Sequence, residues 1–234
     1  SSKCEPVVMD EQFNSAVTDI FRNEYLSPRS PYTTLQIPKQ GIGEWCHPLH
    51  TVDIDDSGLR SSVQKGVLNT KLGVPFRTPA EGQNIAFTSL WDNYPDSLTV
   101  SLKGKASRAY LLMAGSTNHM QCHIDNGLIR VYYKDGTCDK MALRNPDNWA
   151  PIEHIFFEDD LAFNRHAPAL YRLRLKTGEI SNNFGEELGF PGASRELDGG
   201  AAILLEMPLN PDKKLSHLVL ETLSNDVVIG LMGI

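Results

Sequence analysis

Positive charge is in short supply in this chain: 22 Lys and Arg stand against 29 Asp and Glu, a formal net charge of −7 over 234 residues. Nucleic acid demands a basic stripe. The cations here are dispersed, and the one adjacent pair, Lys213-Lys214, falls in an expected turn. No apolar run approaches the roughly 18 residues of a membrane-spanning helix, so membrane insertion is not expected. The opening SSKCEP has neither a basic start nor an apolar segment, and no signal peptide is read there. Nucleotide signatures are missing: there is no GxGxxG and no GxxxxGK[ST]. A GxSxG nucleophile elbow is missing as well. Cysteine is scarce at four residues, too few for a disulfide scaffold of this length.

What is present is strand pattern. In residues 97–117, SLTVSLKGKASRAYLLMAGST, Leu98, Val100 and Leu102 alternate with Thr99, Ser101 and Lys103. That period of two describes a half-buried strand. Lys103-Gly104-Lys105 supplies a turn, and residues 106–113 follow as an almost unbroken apolar run broken by Arg108. Such a run fits a strand covered on both faces in the middle of a sheet. Further strands are expected around Gly73 in residues 67–77, at 169–175 on the alternation Ala169, Tyr171, Leu173 and Leu175, and at 201–207, 215–222 and 227–232. Residues 1–30 carry Phe13, Val17, Ile20 and Phe21 at a weak helical spacing, equally compatible with a strand pair. Residues 144–168 form a long irregular segment, a length that is usually functional or a clamp between elements. About ten strands at short spacing, without a shift in composition, predict one all-β domain over 1–234, a β-sandwich or jelly roll with little helix.

Asn126-Gly127 and Asp135-Gly136 are two-residue hairpin signals. They predict a three-stranded meander of 119–125, 128–134 and 137–143. In that register Cys122 and Cys138 share the core face two strands apart, too far for a disulfide, and are expected as free thiols. The opposite face collects His119, Gln121, His123, Arg130, Tyr132, Lys134 and Asp139, a polar surface able to meet sugar or a neighbouring domain.

Metal and acid/base chemistry are weakly signalled. Asp53, Asp55 and Ser57 with Gly58 resemble the opening of an EF-hand loop, but position 12 is Gln64 instead of the bidentate Glu. An ordinary Asp/Gly turn is expected, with a structural calcium as the alternative and no other cofactor. His119 and His123 point away from Cys122 in the meander, so they do not assemble a zinc site with it. Glu153, Glu158-Asp159-Asp160 and Glu186-Glu187 sit in loops, and sequence spacing does not say whether two of them face each other as a glycosidase pair.

Aromatics beside amides are the stronger signal. A sugar is held by a ring against its CH face and by planar amides and carboxylates on its hydroxyls. Trp91-Asp92-Asn93-Tyr94 and Asn145-Pro146-Asp147-Asn148-Trp149 offer that combination, and Trp45 lies in a third loop. The expected ligand site therefore uses Trp91 or Trp149 as stacking platform and Asp92, Asn93, Asn118, Asn148 and Glu153 as hydroxyl readers. The competing reading is that the tryptophans plug the ends of a core.

The segments LWDNYPDSLTVSLKGKASRAYLLMAGST, NGLIRVYYKDGT, LRNPDNWAPIE and LSHLVLETLSNDVVIGLMGI together resemble the β-sandwich domains attached to large glycoside-hydrolase-like proteins of gut-bacterial polysaccharide-utilisation systems. KGKASRAYLLMAGST looks like the core strand of galactose-binding-like and NPCBM-type modules; LGVPFR and FNSAVTDIF are similar to their preceding and opening segments. The resemblance implies a galactose-binding-like jelly roll and carries over no catalytic residue. It implies a fragment of a longer secreted, periplasmic or cell-surface protein, acting as a non-catalytic carbohydrate-binding or accessory module. A docking domain that orients a neighbouring catalytic domain, and a glycoside hydrolase in its own right, are the alternatives. The implied partners are carbohydrate, neighbouring domains of the parent protein, or both.

Overall fold

The computed structural model describes residues 3–26, 53–91, 93–117, 121–145, 147–153, 170–182 and 197–234, and the backbone alone at 39–40 and 49–50. Two short parallel strands, β1 (Lys39–Gln40) and β2 (Leu49–His50), come first. A helical turn α1 (Ser57–Ser61) precedes the antiparallel trio β3 (Val63–Gln64), β4 (Val67–Asn69) and β5 (Pro75–Arg77). The remaining strands are β6 (Ala86–Thr88), β7 (Ser97–Ser101), β8 (Arg108–Thr117), β9 (Asp125–Tyr133) and β10 (Cys138–Arg144). After them come β11 (Tyr171–Arg174), β12 (Ile180–Ser181), β13 (Ala201–Pro208), β14 (Leu215–Thr222) and β15 (Val227–Gly233). A four-stranded sheet runs β10-β9-β14-β7 and a six-stranded sheet β12-β11-β13-β8-β15-β6. The protein is an all-β sandwich. No helix among the described residues is long and apolar enough to cross a membrane.

The period-two pattern explains the first layer of core. Leu98 and Val100 of β7 point inward while Thr99 and Ser101 are exposed. They meet Ile129 and Val131 of β9 and Leu218 and Leu220 of β14, and this face packs on Leu111, Met113, Ile203, Leu205 and Ile229 of the larger sheet. β8 lies between β13 and β15, as its unbroken apolar run requires. Its alternate residues, Leu112 and Ala114, bury on the other face under Val17, Ile20, Leu59, Leu68 and Phe76. The six-stranded sheet is therefore covered twice, by the smaller sheet and by the N-terminal segment, α1 and β3–β5. Each such side chain contributes roughly 1.5–3 kcal/mol on burial, so β8, with Leu111, Leu112 and Met113 fully buried, anchors both layers.

The expected meander is corrected. Asn126-Gly127 is no turn: both residues sit inside β9, whose neighbours are β10 and β14. Gln121 to Ile124 form turns instead of a strand. Asn126 is fully buried, its Nδ2 donating to the Gln121 and Ile124 carbonyls at 2.8 and 3.2 Å. Gly127 serves close approach: a β-carbon there would lie 2.6 Å from Ile229 Cδ1. Asp135-Gly136 does turn, but through a three-residue loop closed by Tyr133 N–H to Thr137 O at 2.9 Å, with Gly136 at φ +86°. Cys138 consequently pairs with Tyr132 instead of Tyr133. A one-residue slip reverses every side chain of a strand. Leu143 and Met141 face the core, whereas Cys138 stands on the opposite face with Lys140. Asp139 turns inward and accepts from the Tyr133 hydroxyl. Cys4, Cys122 and Cys138 are free thiols; Cys46 lies outside the described residues.

β11 differs from its pattern as well. Leu173 and Leu175 bury as their alternation predicts, but Arg172 is 2% exposed and Tyr171 is exposed. The sheet is covered on both faces here too. The Arg172 guanidinium is enclosed by the carbonyl oxygens of Pro151, Ala201 and Ala202.

Candidate functional site

A solvent-open cleft of about 480 Å³ lies where the N-terminal segment crosses the edge of the six-stranded sheet. Its position follows from local pairing. Ser15 bridges Ile85, and Asn14 stretches both amide atoms onto the backbone of Phe87, Oδ1 accepting at 2.9 Å and Nδ2 donating at 3.0 Å. These bonds cap an edge strand whose outer groups would otherwise be unpaired. Phe13, Val17 and Ile20 sink into the core, which turns Asp19 and Asn23 outward along one wall. Gln83 and Gly82 form the floor side, and Asn93 and Tyr94 the facing wall.

The facing wall is held by several bonds and ring contacts. Ser89 N–H to Pro95 O at 3.0 Å closes the loop that carries it. The Tyr94 ring leans on Phe87 and Tyr25, with centroids at 5.1 and 6.1 Å. Its hydroxyl accepts from Asn23 Nδ2 and donates to Ser15 Oγ at 3.3 Å. Burial raises the pKa of Tyr94, against hydrogen bonds with Ser15 and Tyr25 that lower it, and burial raises Tyr25 still more, with the nearby Tyr94 adding. Both phenols stay protonated across the ordinary pH range. Asn93 Nδ2 donates to Glu24 O at 2.7 Å, tying wall to wall.

The expected site residues separate into three groups. Asn93 lines the cleft. Asp92 and Asn118 lie outside the described residues, as do Trp45 and the acidic runs at 158–160 and 186–187. Trp91, Asn148, Trp149 and Glu153 are not in the cleft lining. Trp149 is fully buried with Nε1 donating to Thr117 Oγ1 at 2.9 Å, and Trp91 is 9% exposed with Nε1 donating to Asn225 O at 2.7 Å. Both indoles pack into core, as the competing reading of the tryptophans has it, and leave a sugar little ring face. Asn148 is committed to strand ends, accepting from Arg144 N–H and donating to Ala142 O, each at 2.8 Å. Glu153 is fully buried and lies close enough to Arg172 to act on its charge. A carboxylate held there does not read surface hydroxyls.

The chain was also compared with known protein families, curated proteins and solved structures. It matches none of them.

Sequence reasoning missed Asn14, Asp19, Asn23 and Gln83. A signal for the first three existed: Asn14 and Asp19 fall between the apolar positions 13, 17, 20 and 21 of one short segment and Asn23 just after them, so burying that stripe must turn them elsewhere.

Chemically, the described residues of the lining offer amide, hydroxyl, phenol and a single carboxylate, Asp19. That set holds hydroxyl groups by hydrogen bonds; glycoside hydrolysis takes two opposed carboxyls. Among the described residues no three His, Cys, Asp or Glu side chains converge as a metal site. In the EF-hand-like run, Asp55 Oδ1 accepts from Ser57 N–H at 2.9 Å. Asp56 Oδ2 accepts from Arg60 and Asn84 at 2.8 and 2.9 Å. These oxygens are spent on a turn and on holding α1 against β6.

Proposed function

We propose that the chain is a non-catalytic carbohydrate-binding or accessory module of a glycoside-hydrolase-like protein, its sandwich of the galactose-binding-like jelly-roll type, acting outside the cytoplasm. The observation that carries this reading is the cleft at the sheet edge. Its size suits a small ligand, within the range of roughly 300–1,000 Å³ of small-molecule sites. Its walls place Asn23, Asn93 and Asp19 around a braced Tyr94. A single sugar held by three or four such bonds binds in the millimolar to high-micromolar range, about −4 to −6 kcal/mol. A glycan array of the isolated chain, repeated with Asn93→Ala, tests it. Binding that the substitution weakens supports the proposal, and a blank array together with a blank millimolar titration removes it.

A docking domain that orients a neighbouring catalytic domain is the second reading. The burial of both Trp91 and Trp149 favours it, because it removes the aromatic platforms that a sugar site commonly uses. Measuring the parent protein's activity with and without this domain, on soluble and on polymeric substrate, separates the two. Loss on both substrates points to docking, and loss on the polymer alone points to binding.

A further inference from the structure

We infer that the cleft selects neutral, hydroxyl-rich saccharides and rejects anionic ones; this rests on the carbohydrate-binding reading and gives its ligand class. What the lining can offer a ligand is what remains once its internal bonds are made. Asn14 has its amide nitrogen and its amide oxygen each engaged by Phe87. Tyr94 already accepts from Asn23 and donates to Ser15, and Ser15 Oγ donates on to Ala16 O at 3.1 Å. Asn93 has spent an N–H on Glu24 O, and because that partner is a carbonyl the orientation of the amide is determined. Its Oδ1 takes no hydrogen bond from a described residue.

The groups left over are mostly acceptors. They are the Asp19 carboxylate and the side-chain oxygens of Asn23 and Asn93, none of which takes a hydrogen bond from a described residue, beside the second N–H of the Asn93 amide. Gln83, exposed on the floor side, adds one amide with both a donor and an acceptor. Among the described residues no Lys, Arg or His lines the cleft. Arg60 reaches the back of it, donating to Gly82 O at 2.7 Å, but its Nε is engaged by Asp56 at 2.8 Å. A ligand that fits must bring donors. Sugar hydroxyls do so, whereas a carboxylate, sulfate or phosphate brings only acceptors and a charge that Asp19 repels.

The test titrates the intact chain, by calorimetry at low salt, with a panel of neutral oligosaccharides of several sugars and linkages. Each is matched with its uronate or sulfated counterpart. The expected result is saturable binding of at least one neutral sugar, with its anionic counterpart about tenfold weaker or worse. Gln83→Lys, at an exposed position, is expected to close most of that gap, and Asn93→Ala to weaken the neutral sugar. Thermal unfolding confirms that both variants fold. Equal or tighter binding of the anionic counterpart, lost in Asn93→Ala, overturns the selectivity and leaves the saccharide reading standing. Neutral binding untouched by Asn93→Ala overturns the placement in this cleft. No binding across the panel overturns the carbohydrate reading itself.

Discussion

The indole of Trp149 lies against Gly115: a β-carbon on that glycine would sit 2.6 Å from Cζ2 of the ring and 2.1 Å from the carbonyl oxygen of Val228. The glycine thus makes room at once for the ring and for the pairing of β8 with β15. Gly115→Ala is expected to cost about 3 kcal/mol or more, above ordinary overpacking because backbone is in the way. Trp149→Ala is expected to cost about 3–5 kcal/mol by leaving a cavity. Urea midpoints measure both, and a Gly115→Ala variant as stable as the parent would contradict the contact.

Glu153 and Arg172 are both buried and near enough to interact electrostatically. Desolvation pulls the Arg172 pKa down to about 10, and the nearby Glu153 pushes it back up. Arg172→Met strands a carboxylate in the core and should cost about 3–5 kcal/mol. Adding Glu153→Gln should return a substantial part of that loss. A double-mutant cycle in which the two effects simply add would show that the charges are not coupled.

Asp135 predicts an acid limb of stability. Hydrogen bonds from the Thr137 hydroxyl and backbone N–H, with Lys213 beside it at 3.1 Å, hold its pKa down at about 2. A carboxyl whose folded pKa is depressed stabilises above its ordinary value near 3.8 and loses that contribution as pH falls through 2. Asp135→Asn should therefore lower the unfolding midpoint at pH 5 and flatten its fall between pH 4 and 2. A parallel fall in parent and variant would exclude this carboxyl as the cause.

The register of β10 is testable through its two faces. Cys138→Ser on the outer face should change stability by less than about 0.5 kcal/mol. Leu143→Ala, fully buried on the inner face, should cost about 2–5 kcal/mol. A large loss at Cys138 would restore the two-residue turn and the opposite facing of the strand.

Side chains that repeat with the period of their own strand were legible in the chain. Leu98 and Val100 bury on one face of β7, and the run at Leu111 to Met113 buries on two, because burial is the dominant favourable term and its pattern is local. Gly73 at φ +78° between β4 and β5 was legible for the same kind of reason: the turn needs a conformation that glycine alone adopts freely.

Tertiary structure decided what depended on a neighbour distant in sequence. A glycine is permissive of a left-handed turn and of a close approach, and only Ile229 across the sandwich determines that Gly127 serves the second. A tryptophan in a loop reads alike whether it faces water or core, and Gly115 with Thr117 draws Trp149 inward. Asn93 was legible as a polar loop residue. Its meeting with Asp19, Asn23 and Gln83 was not, since it arises where the N-terminal segment pairs with the edge of β6, across about 70 residues of intervening chain that no local propensity spans.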